Sequence, residues 1–172
     1  MEAVKTDESA PHLFNSALET GLRALVVLEA FYPRQCDLIE IIWLDHLVVH
    51  TGDLDGDDVP VSLHPDLPNR AGELFVRRRL VEHSLRLMQQ VHLVDAVDTE
   101  NGICFVASEE APSFVDLLRS SYTLKLKQRA AWIAKRFAHM PAAEIKLLIE
   151  AKVGRWTAEF QAEQPTGPLG LL

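Results

Sequence analysis

The chain has 172 residues, of which 48% are hydrophobic, and a formal charge of −8. This length and composition predict one domain with a packed core and exclude wholesale disorder. The negative charge argues against a surface that binds nucleic acid or anionic lipid all over. Two cysteines form no disulfide framework or zinc motif, and neither a signal peptide nor a membrane-spanning run is recognised. We therefore expect a cytoplasmic protein without membrane contact.

Charge is segregated along the chain. Residues 1–60 carry three basic and twelve acidic residues, residues 70–90 carry five arginines and two glutamates, and residues 119–136 carry six basic residues and no acidic one. Such a pattern is typical of exposed helix faces, and equally of a docking surface for a protein or a nucleic-acid backbone. Both interpretations are open at this point.

Two helices are predicted after a tail, residues 1–13, that shows no periodicity and is expected to be mobile. Each helix opens with a capping-box pattern, a Ser or Asp followed three positions later by Glu. The pairs are Ser16 with Glu19 and Asp37 with Glu40. A long loop follows over residues 51–69, rich in proline, glycine and aspartate. Loops of this length in small domains are usually functional or mobile.

A third helix is predicted over residues 70–90, with a possible break near Glu82. Its apolar residues, among them Phe75, alternate with arginines. The period then changes to that of β-strands, and Asn101-Gly102 between residues 92–97 and 103–107 is a strong hairpin signal. Three more helices are predicted, at residues 110–118, 121–138 and 141–160.

Three helices followed by a hairpin is the element order of a winged helix-turn-helix. We predict a mainly α protein with a winged-helix core over residues 14–109, a C-terminal helical extension over residues 110–160 and a loose tail over residues 161–172. An isolated hairpin is only marginally stable in water, so this one needs the third helix beside it. Residues 70–90 take the position of the recognition helix.

The predicted recognition helix and wing are poorly suited to DNA. Arginines 77–79 are consecutive and span about 200° of a helix, so they cannot all face one groove. We expect at least one of them against the protein's own acidic surface. The predicted wing has no Lys or Arg and three acids, which phosphate repels. The acids are Asp95, Asp98 and Glu100.

No enzyme motif is found, neither the nucleotide-binding glycine patterns nor the hydrolase and metalloprotease signatures. His46, His50 and His64, with Asp45 or Asp53, could form a zinc site. The simpler interpretation is two histidines at a helix end, where imidazolium suits the helix dipole. Residues 53–58 resemble a calcium loop but have a misplaced glycine and no closing glutamate. We expect no catalysis, cofactor or metal.

Several segments together resemble one family, the middle component of bacterial ABC-three-component systems. The most specific is the run H-P-D-L-P-x-R-x-G-E-L-x-V-R-R, residues 64–78. The matching stretches cover most of the chain from about residue 14 to residue 160. They are residues 15–38, 44–54, 62–88, 114–137 and 153–160.

The resemblance implies a small, commonly winged-helix-like protein encoded between an SMC-like ABC ATPase and a third, often effector-bearing component. Lamassu-type defence complexes look like relatives. On this basis we expect a non-enzymatic adaptor that links the ATPase and effector components in defence against phage or plasmids. It would meet DNA only indirectly, through the complex.

Eight residues are candidates for contact with a partner or with DNA. They are Arg70, Glu73, Arg77, Arg78, Arg86, Lys125, Arg129 and Lys135. The alternative function is a winged-helix transcription regulator that forms a homodimer through the C-terminal helices and binds DNA. A metal-dependent enzyme built on the three histidines is a third hypothesis.

Overall fold

The computed structural model describes residues 16–163, with side chains as far as Glu159. This part of the chain is mainly helical, with one small antiparallel sheet. The elements in order are α1 (Ala17–Phe31), β1 (Cys36–Asp37), α2 (Leu38–Val49), α3 (Arg70–Gln90), β2 (Val94–Thr99), β3 (Gly102–Ala107), α4 (Ala111–Leu117), α5 (Ser121–Phe137) and α6 (Ala142–Glu163). The predicted tail 1–13 lies outside the described residues. Residues 161–163, predicted to be loose, belong to α6.

Local hydrogen bonds explain where the first two helices begin. The Ser16 hydroxyl accepts from the backbone N–H of Glu19 at 3.1 Å. At Asp37 the capping box is complete, because its carboxylate accepts from the Glu40 N–H at 2.8 Å while the Glu40 carboxylate accepts from the Asp37 N–H at 2.9 Å. These bonds satisfy amide donors that have no partner inside a helix. Both predicted starts are confirmed.

α3 is one continuous helix of 21 residues, so the break considered near Glu82 is absent. The Asn69 side chain caps it by accepting from the Gly72 N–H at 2.9 Å. The stripe of α3 that packs into the core contains Leu74, Val81 and, further along, Leu85 and Met88.

The predicted hairpin is confirmed and is tighter than expected. β2 and β3 pair in antiparallel register from Val94 opposite Ala107 to Thr99 opposite Gly102. The turn therefore has two residues, and Gly102 has φ +114°, a conformation that favours glycine. β2 begins at Val94 rather than at residue 92, because His92 has φ 59° and is not extended.

β1 is a third strand that the sequence analysis did not predict. It contains two residues, and it pairs with β3 with Cys36 opposite Phe105 and Asp37 opposite Cys104. The sheet order is β1-β3-β2. β3 is thus central, and the hairpin is joined to the segment that links α1 to α2.

α2 is the centre of the core. Every residue from Glu40 to His50 is buried, because α1, α3, α5 and α6 all pack against this helix or enclose it. Within the described residues no helix is both long and apolar enough to cross a bilayer.

Candidate docking surfaces around a buried ion network

Asp45 on α2 holds two arginines in the interior. Its carboxylate accepts from Arg23 of α1 at 2.8 Å and 3.1 Å, and from Arg77 of α3 at 2.9 Å. The exposed fractions of the three residues are 1% for Asp45, 1% for Arg23 and 7% for Arg77. One carboxylate therefore ties together the three helices that form the first half of the fold.

The charges of this network stabilise one another. Burial alone raises the pKa of Asp45, but the charge and hydrogen bonds of Arg23, with Arg77, outweigh burial and lower it below its ordinary value. Burial likewise opposes the charge of Arg23, yet Asp45 raises its pKa. Asp45 and Arg23 are thus both ionised at neutral pH inside the protein. Arg77, one of the predicted contact residues, is therefore buried against Asp45 in this structure.

Asp53 is the centre of a second polar cluster, beside the first. Its two carboxylate oxygens contact His46 Nε2 at 2.7 Å and Arg70 Nε at 2.8 Å, and its carbonyl accepts from Lys152 Nζ at 3.1 Å. Burial raises the pKa of Asp53, but the hydrogen bond and charge of His46, with Arg70, lower it overall. The candidate Arg70 therefore helps to fix the start of the acidic loop.

Next to this cluster, the rings of His46, His50 and His64 contact one another in that order. The ring centroids of His46 and His50 are 4.7 Å apart, and those of His50 and His64 are 5.9 Å apart. His64 Nε2 lies 2.9 Å from the Tyr122 hydroxyl. Burial lowers the pKa of His50 to about 3 and that of His64 below its ordinary value. No group of three or more ligating side chains in residues 16–163 is arranged to hold a metal ion.

Basic residues of α5 and α6 bind the loop over residues 51–69. Arg129 donates to the Val61 carbonyl at 3.0 and 3.1 Å. Arg136 donates to the Asp55 carbonyl at 2.6 Å, and Lys152 contacts the Asp55 carboxylate at 3.0 Å. Of these contacts, the one between Lys152 and the Asp55 carboxylate pairs opposite charges. Arg129, another predicted contact residue, is half-buried and donates to the loop.

The α3 outer face, defined as Phe75, Val76, Arg79, His83 and Arg86, combines exposed apolar and basic side chains. At 100° per residue these positions lie on one side of the helix, and all five are exposed. Phe75 is 74% exposed and Val76 is 75% exposed. Apolar side chains stand at the N-terminal end of this face, and basic side chains follow toward its C-terminal end.

An apolar groove adjoins the α3 outer face. The α2–α3–α6 groove has a volume of about 450 Å³, and its apolar lining includes Ile42, Trp43, Leu74, Ile149 and Val153. Ile39 and Phe75 stand exposed at its edge. The charges on its walls are Arg78 from α3 and Glu150 from α6. The indole N–H of Trp43 is buried without a hydrogen-bond partner among the described residues.

The other predicted candidates are scattered. Arg78 lines the α2–α3–α6 groove, and Arg86 lies on the α3 outer face. Glu73 is half-buried on α3. Lys125 and Lys135 are exposed on α5 and lie ten residues, or about 15 Å, apart along the helix axis.

Sequence reasoning missed Phe75 and Gly154, which both line the groove. Phe75 was grouped with the apolar residues of α3, yet it lies 100° away from Leu74 on the helix and faces outward. Its position on a helical wheel, outside the stripe formed by Leu74, Val81 and Met88, indicates that Phe75 is exposed. The only feature of the sequence that points to Gly154 is that a glycine stands inside a predicted helix.

The comparison with family models decides the class of the protein. The model described as ABC-three component (ABC-3C) system Middle Component 2 matches residues 13–159. The chain belongs to this family. The match extends from the start of α1 nearly to the end of α6, so it includes the ion network, the α3 outer face and the groove. The resemblance to middle components is thus confirmed. No curated protein and no solved structure matches the chain.

Proposed function

We propose that this ABC-3C middle component is a non-enzymatic adaptor that links an SMC-like ABC ATPase to a third, effector component. Its setting would be the cytoplasm, in a Lamassu-like system directed against phage or plasmids. The observation that carries this proposal is family membership, joined to an exposed apolar and basic surface on α3. A middle component of a three-component system has partners, and Phe75 and Val76 offer the kind of apolar contact that partners cover.

We further propose that residues 16–109 form a winged-helix core. Three helices precede the β2–β3 hairpin, and β1 closes the sheet against β3. α3 then takes the position of the recognition helix, and the hairpin is the wing. The core presents a rigid helix face beside a wing, a shape suited to docking with a macromolecule.

Charge favours a protein partner over DNA for this core. The wing exposes Asp95, Asp98 and Glu100, which repel phosphate. Arg77, the first of three consecutive arginines, donates a hydrogen bond to Asp45 in the interior. Contact with DNA through other subunits of the complex is compatible with this surface.

Co-expression tests the adaptor proposal. The tagged chain is co-expressed with the ATPase and the third component of its system, pairwise and all together, and each mixture is separated by size-exclusion chromatography. We expect the chain to elute with at least one component at a fixed stoichiometry. Elution of the chain alone in every combination rejects the adaptor function.

A gel-shift assay separates the adaptor from the alternative, a dimeric transcription regulator. The purified chain is mixed with duplex DNA from its own promoter and with a scrambled duplex, at 50 and 200 mM salt. We expect no specific shift by the chain alone. A specific shift that weakens steeply with salt supports the regulator instead, because released counterions make phosphate contacts salt-dependent.

A further inference from the structure

We propose that the α2–α3–α6 groove binds an amphipathic helix from another component of the system, with acidic residues on the side of that helix that faces α3. This inference rests on the adaptor function proposed above and names its contact site. The occupant is a helix with an apolar stripe, and its stripe fills the groove between α3 and α6.

The shape and lining of the groove suit such a helix. Three helices bound it, and its volume of about 450 Å³ is lined mainly by apolar side chains. Helix-in-groove recognition places anchors at positions i, i+3 or i+4, and i+7 into an apolar channel of this type. Phe75 stands at the edge with 74% of its surface exposed and is available to pack on the incoming helix. Nucleic acid has no apolar stripe to offer this lining.

Gly154 is a second observation that points to a close approach. It lies inside α6, where glycine is less favourable than alanine. A Cβ atom built on Gly154 meets no atom of the described chain within 4 Å, so the packing of this chain does not require a glycine. Gly154 leaves one wall of the groove without a side chain, which lets the backbone of another molecule come near.

The charges around the groove indicate the chemistry of the partner. Arg78 stands on the α3 wall, and Arg79 and Arg86 continue the positive charge along α3. Glu150 stands on the α6 wall. A helix with acidic residues toward α3 and a basic residue toward α6 complements both walls. Opposite charges at the rim of an interface direct the orientation of the partner and speed its association.

Binding measurements with matched variants test the groove. The ATPase and the third component, each purified at full length, are immobilised in turn, and the dissociation constant of the chain is measured by interferometry. Phe75→Asp places a charge at the edge, and Gly154→Phe fills the wall. Leu117→Asp is the control, because Leu117 is 73% exposed on α4, away from the groove. Circular dichroism verifies that each variant is folded.

We expect Phe75→Asp and Gly154→Phe to weaken binding to one component roughly tenfold or more, because each variant disrupts the apolar contact with the incoming helix. Leu117→Asp should bind within about twofold of the unchanged chain. Arg78→Glu should weaken binding by about two- to fivefold, with a smaller effect at high salt. If the complex forms and the groove variants bind like the unchanged chain, the groove inference fails while the adaptor function stands. If neither component binds, both fail.

Photo-crosslinking identifies the occupant. A benzophenone amino acid is placed at position 75, or at position 117 as the control, in the reconstituted complex, and the crosslinked peptides are identified by mass spectrometry. We expect position 75 to crosslink a segment of another component with apolar residues at helical spacing and Asp or Glu beside them. Crosslinks to a second copy of this chain, to nucleic acid, or equally from both positions overturn the proposal.

Discussion

Asp45 offers the sharpest test of how this fold is held together. The substitution Asp45→Asn keeps the size of the side chain but removes a negative charge that both Arg23 and Arg77 contact at hydrogen-bond distance. One oxygen replaces two as acceptor for three N–H donors. Both buried guanidinium groups then lose the counter-charge of Asp45, and Glu19 lies 3.9 Å from Arg23.

The cost follows from the burial of the network. Removing one partner of a buried ion pair destabilises a protein by about 3–5 kcal/mol, because the remaining charge stays desolvated. Glu19 compensates Arg23 in part, so we expect a value near the lower end, about 3 kcal/mol. A domain has a total stability of about 5–15 kcal/mol. With a urea m-value of about 2 kcal/mol/M, the unfolding midpoint should fall by about 1.5 M.

Urea unfolding at neutral pH, followed by circular dichroism, measures this effect. Asp58→Asn is the matched control, since Asp58 is exposed on the loop, and it should change stability by less than about 0.5 kcal/mol. Replacing Arg23 and Arg77 by Met and Asp45 by Leu together should recover most of the loss, because an apolar trio leaves no unpaired charge. A loss below about 1 kcal/mol for Asp45→Asn would refute the structural role assigned to this network.

Three further predictions concern stability. Because burial lowers the pKa of His50 to about 3, the unfolded chain binds a proton between about pH 6.5 and pH 3 that the folded chain does not. The free energy of unfolding should therefore be unaffected by His50 above about pH 6.5, and below that pH it should fall by up to about 1.4 kcal/mol per pH unit because of this histidine. The urea midpoint of His50→Phe should fall less steeply with decreasing pH than that of the unchanged chain. An equally steep fall contradicts the low pKa of His50. Gly154→Ala should raise the free energy of unfolding by about 0.5–1 kcal/mol, since the added Cβ meets open space in a helix; a lower thermal midpoint in calorimetry would show that the site is not helical or not open. Asp37→Ala breaks the capping box and should cost about 1 kcal/mol in urea unfolding, whereas no loss would mean that the cap contributes nothing to folding.

Much of the local structure could be predicted because its signals lie within a few positions of each other. Ser16 and Asp37 begin helices through hydrogen bonds to residues three positions ahead. Asn101-Gly102 marks the hairpin because glycine readily takes the positive φ that is found at the residue directly after the turn. β1 escaped prediction because two residues show no periodicity, and their pairing partner β3 lies far along the chain.

The amino-acid sequence by itself determined the helical elements, the hairpin and the family, since these depend on short patterns and matching segments. Only the tertiary structure decided which charged side chains are buried in ion pairs and which are exposed. Arg77 and Arg78 are neighbours in sequence, yet 100° of rotation on α3 buries the first against Asp45 and turns the second into the groove. The same rotation separates buried Leu74 from exposed Phe75. Which helix faces meet is settled by packing among distant segments, and that packing left one apolar groove beside the arginines of α3 open to solvent.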